Sequence, residues 1–248
     1  MTQFLMHQLY DLINRPGPLW LVDANLSGLN LSGVNLEDAN LTDAHMNGTN
    51  LEMANFKGAN LTRAMLRESQ AKEAVFEGTN LSWAGLNRAD CYKANFKNAI
   101  MANARLKDVI FLEADLAGAS LEKANCKKTI FEKANLSGAN LKSVEFDRTN
   151  LKSANLEKAN LKGAKFLTAD LRNANLSEAC LEDADLQDSD LREANLQGAN
   201  LKRANLQGVV FQNANLENAN LEGADLRNAI LFDAKMSGAI MPDGTVHE

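Results

Sequence analysis

From Leu26 to Met241 the chain repeats every five residues without an insertion or deletion, as a small residue, Asn or Asp, Leu or Phe, and two variable residues. Every repeat centre has a number ending in 1 or 6, which gives 44 centres: 29 Leu, 8 Phe, 4 Met, 2 Cys and 1 Ala. Two places before the centre stands Ala in 33 cases, and otherwise Thr, Ser, Val or Leu. A period of five fits neither the 3.6 of an amphipathic helix nor the alternation of a flat strand. A chain that buries the same two positions in every five must turn a corner each time, so the pattern predicts a solenoid of short extended sides.

The two buried columns carry a size pattern as well. Phe56, Phe76 and Phe96 are twenty residues apart, as are Phe111 with Phe131 and Phe146 with Phe166. Were a coil to close in twenty residues these rings would stack, and offset ring stacking adds about 0.5–1.5 kcal/mol per pair beyond burial. Small centres accompany large ones, Ala71 before Phe76 and Cys91 before Phe96, as a layer of fixed capacity requires. Leu136 and Leu186 are the ordinary centres of the same core.

Of fifteen Gly, twelve stand two places after a centre. If each corner is a four-residue turn beginning at the centre, that is its third position, where a type II turn needs positive φ. Asn or Asp fills 27 of the 44 places just before a centre, where a short polar side chain can bond nearby backbone.

The segments Ala24-Asn25-Leu26, Ala134-Asn135-Leu136, Ala184-Asp185-Leu186 and Ala224-Asp225-Leu226 resemble the A-(D/N)-L-x-x signature of the pentapeptide-repeat family, and the resemblance covers about 216 of 248 residues. It implies an all-β chain folded as a right-handed quadrilateral β-helix, four pentapeptides per coil, with the centre and the small residue facing inward. About eleven coils spaced by about 4.8 Å make a rod of roughly 50 Å. The Gly238–Gly244 stretch resembles the closing segment of cyanobacterial members, so a cyanobacterial type is expected.

The unbroken register argues for one domain, with a capping segment over 1–22, the β-helix over 23–241 and a tail over 242–248. Phe4, Leu5, Gln8, Leu9, Leu12 and Ile13 fall near helical spacing, Thr2 is available as an N-cap and Arg15-Pro16-Gly17-Pro18 stops the run. A short helix over about 3–14 is therefore expected to cover the open core. No apolar run is long enough for a membrane span and no secretory leader pattern is present, which together with unpaired cysteines leads to an expectation of a cytoplasmic protein without membrane contact. Cys91 and Cys126 are core centres and Cys180 precedes one, none has a partner at CxxC spacing, and all three are expected to be buried small hydrophobes.

Nothing points to catalysis. His7, His45 and His247 have no partner at metal-ligand spacing, and no nucleophile or phosphate-loop motif occurs. No enzyme activity, metal or cofactor is expected, and the function expected is that of a rigid scaffold for protein–protein interaction. Apolar residues in outward columns mark the candidate contact: Tyr92 with Leu112, Ile110 with Ile130, and Trp83 near a neighbouring corner. The class alternative comes from family members that imitate DNA to inhibit or protect gyrase or topoisomerase. Such mimicry needs acidic rows along the rod. Here residues 1–120, 121–172 and 173–248 carry net −3, +5 and −8, and the acidic cluster from Glu178 to Glu193 would ring about one coil. Lysines twenty away pair with it: Lys158 on Glu178, Lys162 and Lys202 about Glu182, and Lys165 under Asp185. Direct nucleic-acid binding is not expected, since acids interleave with the basic middle, and a monomer is expected over a dimer.

Overall fold

The computed structural model describes Thr2, Gln3 and residues 17–248. Within them the backbone circulates with a period of twenty. Single-residue parallel bridges join Trp20 to Asn40, Asn25 to His45, Asn30 to Asn50, Asn35 to Asn55, and so on without interruption to Asn220 and Ile240. Two hydrogen bonds hold each side to its neighbours. The amide of a centre donates upward to a carbonyl nineteen residues on (Leu26 to His45, 2.7 Å), and the amide before a centre donates downward to one twenty-one residues back (His45 to Ala24, 2.9 Å). Four columns of bridges result, and each is named here by its first centre: the Leu26, Leu31, Leu36 and Leu41 sides.

Corners follow from the two variable residues. The small residue's amide donates back to the centre's carbonyl (Ala44 to Leu41, 3.0 Å), closing a four-residue turn. Its third position has positive φ throughout, at twelve glycines and also at non-glycines as bulky as Trp83 (φ 62°) and Arg63 (φ 60°). A left-handed non-glycine residue costs roughly 1–2 kcal/mol. The same residue's amide donates to the next coil (Asp23 to Thr42, 2.9 Å), and such a bond contributes about 0.5–1.5 kcal/mol, enough to offset most of that strain. The Asn column secures the turn from outside. Asn25 Oδ1 accepts from the Ser27 amide at 3.2 Å, the same Asx turn recurs along the chain, and amide side chains also link coil to coil from Asn195 through Asn175, Asn155 and Asn135 to Asp115.

Centres from Leu26 to Leu221, Leu136 and Leu186 included, are buried. Phe56, Phe76 and Phe96 stack with centroids 5.0 and 4.6 Å apart, and Phe111–Phe131 and Phe146–Phe166 stack at 5.0 and 4.9 Å. Edge contacts of Phe96 with Phe111 (5.2 Å, 87°) and of Phe131 with Phe146 (6.0 Å, 74°) join the three stacks into one seven-ring column, which steps from the Leu36 side to the Leu31 side and then to the Leu26 side. Where Thr or Ser replaces Ala, its hydroxyl donates to the centre carbonyl of the preceding coil, as Thr79 does to Phe56 at 2.6 Å and Thr129 to Leu106 at 2.6 Å. Ser69 Oγ alone is buried without a partner among the described residues.

The ends differ from the expectations. The helix expected over 3–14 lies outside the described residues except for Gln3, and Thr2 is no helix cap: Thr2–Gln3 form β1, which pairs in parallel with β2, Ala24–Asn25. The open backbone edge of the first coil thus takes up a strand. At the other end the chain reverses after Met241, whose amide donates to Thr245 at 2.7 Å, and Val246 pairs antiparallel with Ile240. That return runs along the Leu41 side and the corner before it, and Leu226, Leu231 and Met241 stay partly exposed at this end of the rod.

Candidate surface sites on the rod

The apolar residues singled out from the sequence divide between two corners. Ile110 and Ile130 are bridge partners on the Leu31 side, and Tyr92 and Leu112 occupy the outward column beside them, all four half-buried. Asp90 bridges Ile110 from the coil before; its Oδ1 accepts from the Tyr92 amide at 3.1 Å, and Lys93 Nζ lies 5.2 Å from the Tyr92 ring centroid. These four residues form one surface. Trp83 does not join it. It is 58% exposed at the corner between the Leu41 and Leu26 sides, two corners round the coil from Tyr92. Nine residues are nearly half of a twenty-residue circuit, so proximity in sequence became opposition in space.

Trp83 leads instead onto the Leu26 side, where the Asn column is broken in four consecutive coils by His45, Met65, Gly85 and Arg105, and again at Glu145 and Lys165. Each break gives up the local Asx bond. In two coils an Asn on the other flank of the centre takes over: Asn47 Oδ1 accepts from the Arg67 amide at 3.0 Å and Asn87 Oδ1 from the Lys107 amide at 3.1 Å. Gly85 is the only glycine in a wall position, and its φ does not call for glycine. A Cβ there would meet Arg105 Nη2 at 3.1 Å, so the missing side chain is the bed of that guanidinium.

Three adjoining concavities run along this side and its following corner, from Asn47 to Leu167. Cations dominate their walls. Arg67 and Arg88 share Glu68 at 3.1 Å each, and Lys127 is held by Glu145 (3.1 Å) and Asp147 (3.2 Å). Arg105, Lys107, Lys128 and Arg148 form no ion pair among the described residues. The sequence reading missed this groove, and the run of breaks in the Asn column was the signal that could have found it.

The acidic cluster is largely neutralised by its neighbours. Lys158 reaches Glu178 at 3.8 Å and Lys162 reaches Glu182 at 3.1 Å, as the twenty-residue spacing predicts. Two pairings differ from expectation. Lys202 bonds Glu222 at 2.8 Å while Arg203 takes Glu182 and Asp183, and Asp185 accepts from Asn205 at 2.8 Å and not from Lys165. The forked guanidinium of Arg203 meets both carboxylates from the coil after, while the Lys162 ammonium approaches the same two from the coil before. Hydrogen bonds from Arg203 hold Glu182 and Asp183 below the usual carboxylate range, and Arg172 does the same to Asp170.

Catalytic chemistry finds no support in these groups. Burial pushes the Cys91 and Cys126 thiols far up, whereas Cys180, expected to be buried with them, is only half-buried between Asn160 and Asn200 because the place before a centre lies on the wall. His45 lies 3.9 Å from Asp23, His247 is exposed in the tail, and His7 is outside the described residues. Among the described residues no group of His, Cys, Asp and Glu could hold a metal ion, and no helix is long and apolar enough to cross a membrane.

A family model agrees with this architecture. The family model for pentapeptide repeats matches in eight copies: 21–58, 54–90, 74–112, 89–125, 110–148, 129–167, 169–208 and 210–242. Among solved structures, the chain is similar to HetL, a pentapeptide repeat protein involved in heterocyst differentiation regulation from Nostoc sp. strain PCC 7120, with 29% identity over 98% of this chain and all of that one, at a TM-score of 0.48. A pentapeptide repeat protein of the Arabidopsis thaliana thylakoid lumen shares 34% identity over 42% of this chain and 72% of its own, at a TM-score of 0.41. Full-length QnrB1, a plasmid-mediated fluoroquinolone resistance protein, shares 16% over 83% and 92%, at a TM-score of 0.43. No curated protein matches the chain.

Proposed function

The chain belongs to the pentapeptide-repeat family, whose fold is the right-handed β-helix, and from that premise we propose that it is a non-catalytic rigid scaffold of about eleven four-sided coils that binds a protein partner. The observation that carries the reading is the cluster of Tyr92, Ile110, Leu112 and Ile130 on one side of a rod whose interior is filled. Among the described residues the core is filled with Leu and stacked Phe, so recognition falls to the wall. Half-buried aliphatic residues beside a tyrosine suit a protein contact, where large apolar side chains supply most of the energy. The reading includes a cytoplasmic location and a single copy of the chain, in keeping with three free cysteines.

Imitation of duplex DNA toward gyrase or topoisomerase is the weaker reading. Glu178, Glu182, Asp183 and Asp190 are each paired with Lys or Arg, which removes the uncompensated acidic row such imitation needs. The test is affinity capture from the native host with mass spectrometry, comparing the natural chain with Tyr92→Ser/Leu112→Ser. Loss of one partner from the variant, with unchanged thermal unfolding, is the expected result. Equal capture by both forms would overturn the patch.

A further inference from the structure

We infer that the notched, cationic groove along the Leu26 side is a docking site for an extended acidic segment of a protein. Its position one corner from the Tyr92 surface means that a partner could engage both, and to that extent the inference rests on the scaffold reading. Three independent observations bear on it. The wall gives up its stabilising Asn column in consecutive coils at His45, Met65, Gly85 and Arg105, which the fold itself does not ask for. Gly85 supplies space without a backbone need, and Arg105 lies across it. Arg105, Lys107, Lys128 and Arg148 have no carboxylate partner among the described residues, and unlike the unpaired Lys97, Lys152 and Lys235 they line one continuous set of concavities.

Length sets the kind of occupant. From Arg67 to Arg148 is four coils, roughly 20 Å at about 4.8 Å per coil. An extended peptide covers that span with about six residues. Asp108 and Asp147 interrupt the groove and Glu68 occupies Arg67 and Arg88, which suits a segment whose own charges are spaced by neutral residues better than the unbroken phosphates of a nucleic acid. Met65 and Leu167 offer apolar walls, and exposed Trp83 stands where the chain enters this side.

The test uses the full chain and a fluorescein-labelled dodecapeptide of alternating Glu and Ser, read by anisotropy at low and high salt. Single-stranded oligothymidylate of the same length is the rival probe. The peptide is expected to bind, to weaken with salt, and to lose about tenfold or more in affinity in Lys107→Glu/Lys128→Glu/Arg148→Glu. The control Lys97→Glu/Lys152→Glu/Lys235→Glu changes the same net charge at the Leu36 side and its two corners, away from the groove, and is expected to lose far less. Equal loss in both variants, absence of peptide binding, or tighter groove-dependent binding of the oligonucleotide would each overturn the proposal. Partner capture by the Tyr92→Ser/Leu112→Ser form is read separately, so failure of the patch and failure of the groove are distinguishable.

Discussion

Replacing Phe76 by Leu tests the core quantitatively, because Leu is the commonest centre and does not threaten the fold. Phe76 is fully buried between Phe56 at 5.0 Å and Phe96 at 4.6 Å, with ring planes 0° and 10° from parallel. The substitution removes two stacked pairs, worth about 1–3 kcal/mol together, and adds about 1 kcal/mol for lost packing, so the expected destabilisation is about 2–4 kcal/mol. Phe211 is equally buried but makes no ring pair among the described residues, so Phe211→Leu should cost only about 1 kcal/mol. Equilibrium unfolding in urea, with the slope checked for loss of cooperativity as a repeat protein requires, measures both. Equal destabilisation by the two variants would refute ring stacking as a contributor to stability.

Other consequences follow from named groups. Thr79→Val removes the hydroxyl that bonds the Phe56 carbonyl and should cost about 1 kcal/mol in urea unfolding, whereas Ser69→Ala, whose Oγ is unpartnered, should be neutral within about 0.5 kcal/mol; the reverse order would contradict the bonding described. Arginine partners hold Asp43, Glu68, Asp170, Glu182, Asp183 and Asp225 below the usual carboxylate range. Their contribution is therefore complete above the unfolded range of about 4 and is lost as pH falls through the folded values. The melting temperature should be level between about pH 5 and 8 and fall below about pH 4, modestly since the pairs are exposed, and a rise on acidification would be contrary. A thiol reagent should modify Cys180 in the native protein and leave Cys91 and Cys126 untouched until denaturant is added; rapid reaction of all three would place the centres outside the core.

The inward columns were legible because a period of five, repeated without slippage, leaves Leu and Phe only one place to go. The stacks at twenty-residue spacing were legible because the family resemblance implies four repeats per coil and the phenylalanines recur at that interval. Their union was not: Phe96 and Phe111 are fifteen apart and lie on adjoining sides, where only the coil's interior width decides whether rings meet edge to face. Twelve glycines hinted at positive φ in the corners, but Arg63 and Trp83 adopt it too because inter-coil hydrogen bonds impose it. Among candidate contacts, Ile110 and Ile130 came together as their spacing requires, and Trp83 separated from Tyr92 because nine residues cross the coil. The groove stayed hidden because Arg67, Arg105 and Arg148 become neighbours only after the chain has wound past them, and the exchange of Asn for Met65, Gly85 and Arg105 is visible only once residues are read in columns of twenty.

The winding itself is open to a direct distance measurement. Glu37, Lys97 and Gln197 occupy one exposed outward column, so spin labels at cysteines introduced in pairs, with Cys180 replaced by Ser, report the rise of the coil. Lys97 and Gln197 are five coils apart and Glu37 and Gln197 eight, which predicts separations of about 24 and 38 Å with narrow distributions. Broad distributions, or separations that do not grow in proportion to the number of coils, would contradict a rigid rod that completes a turn every twenty residues.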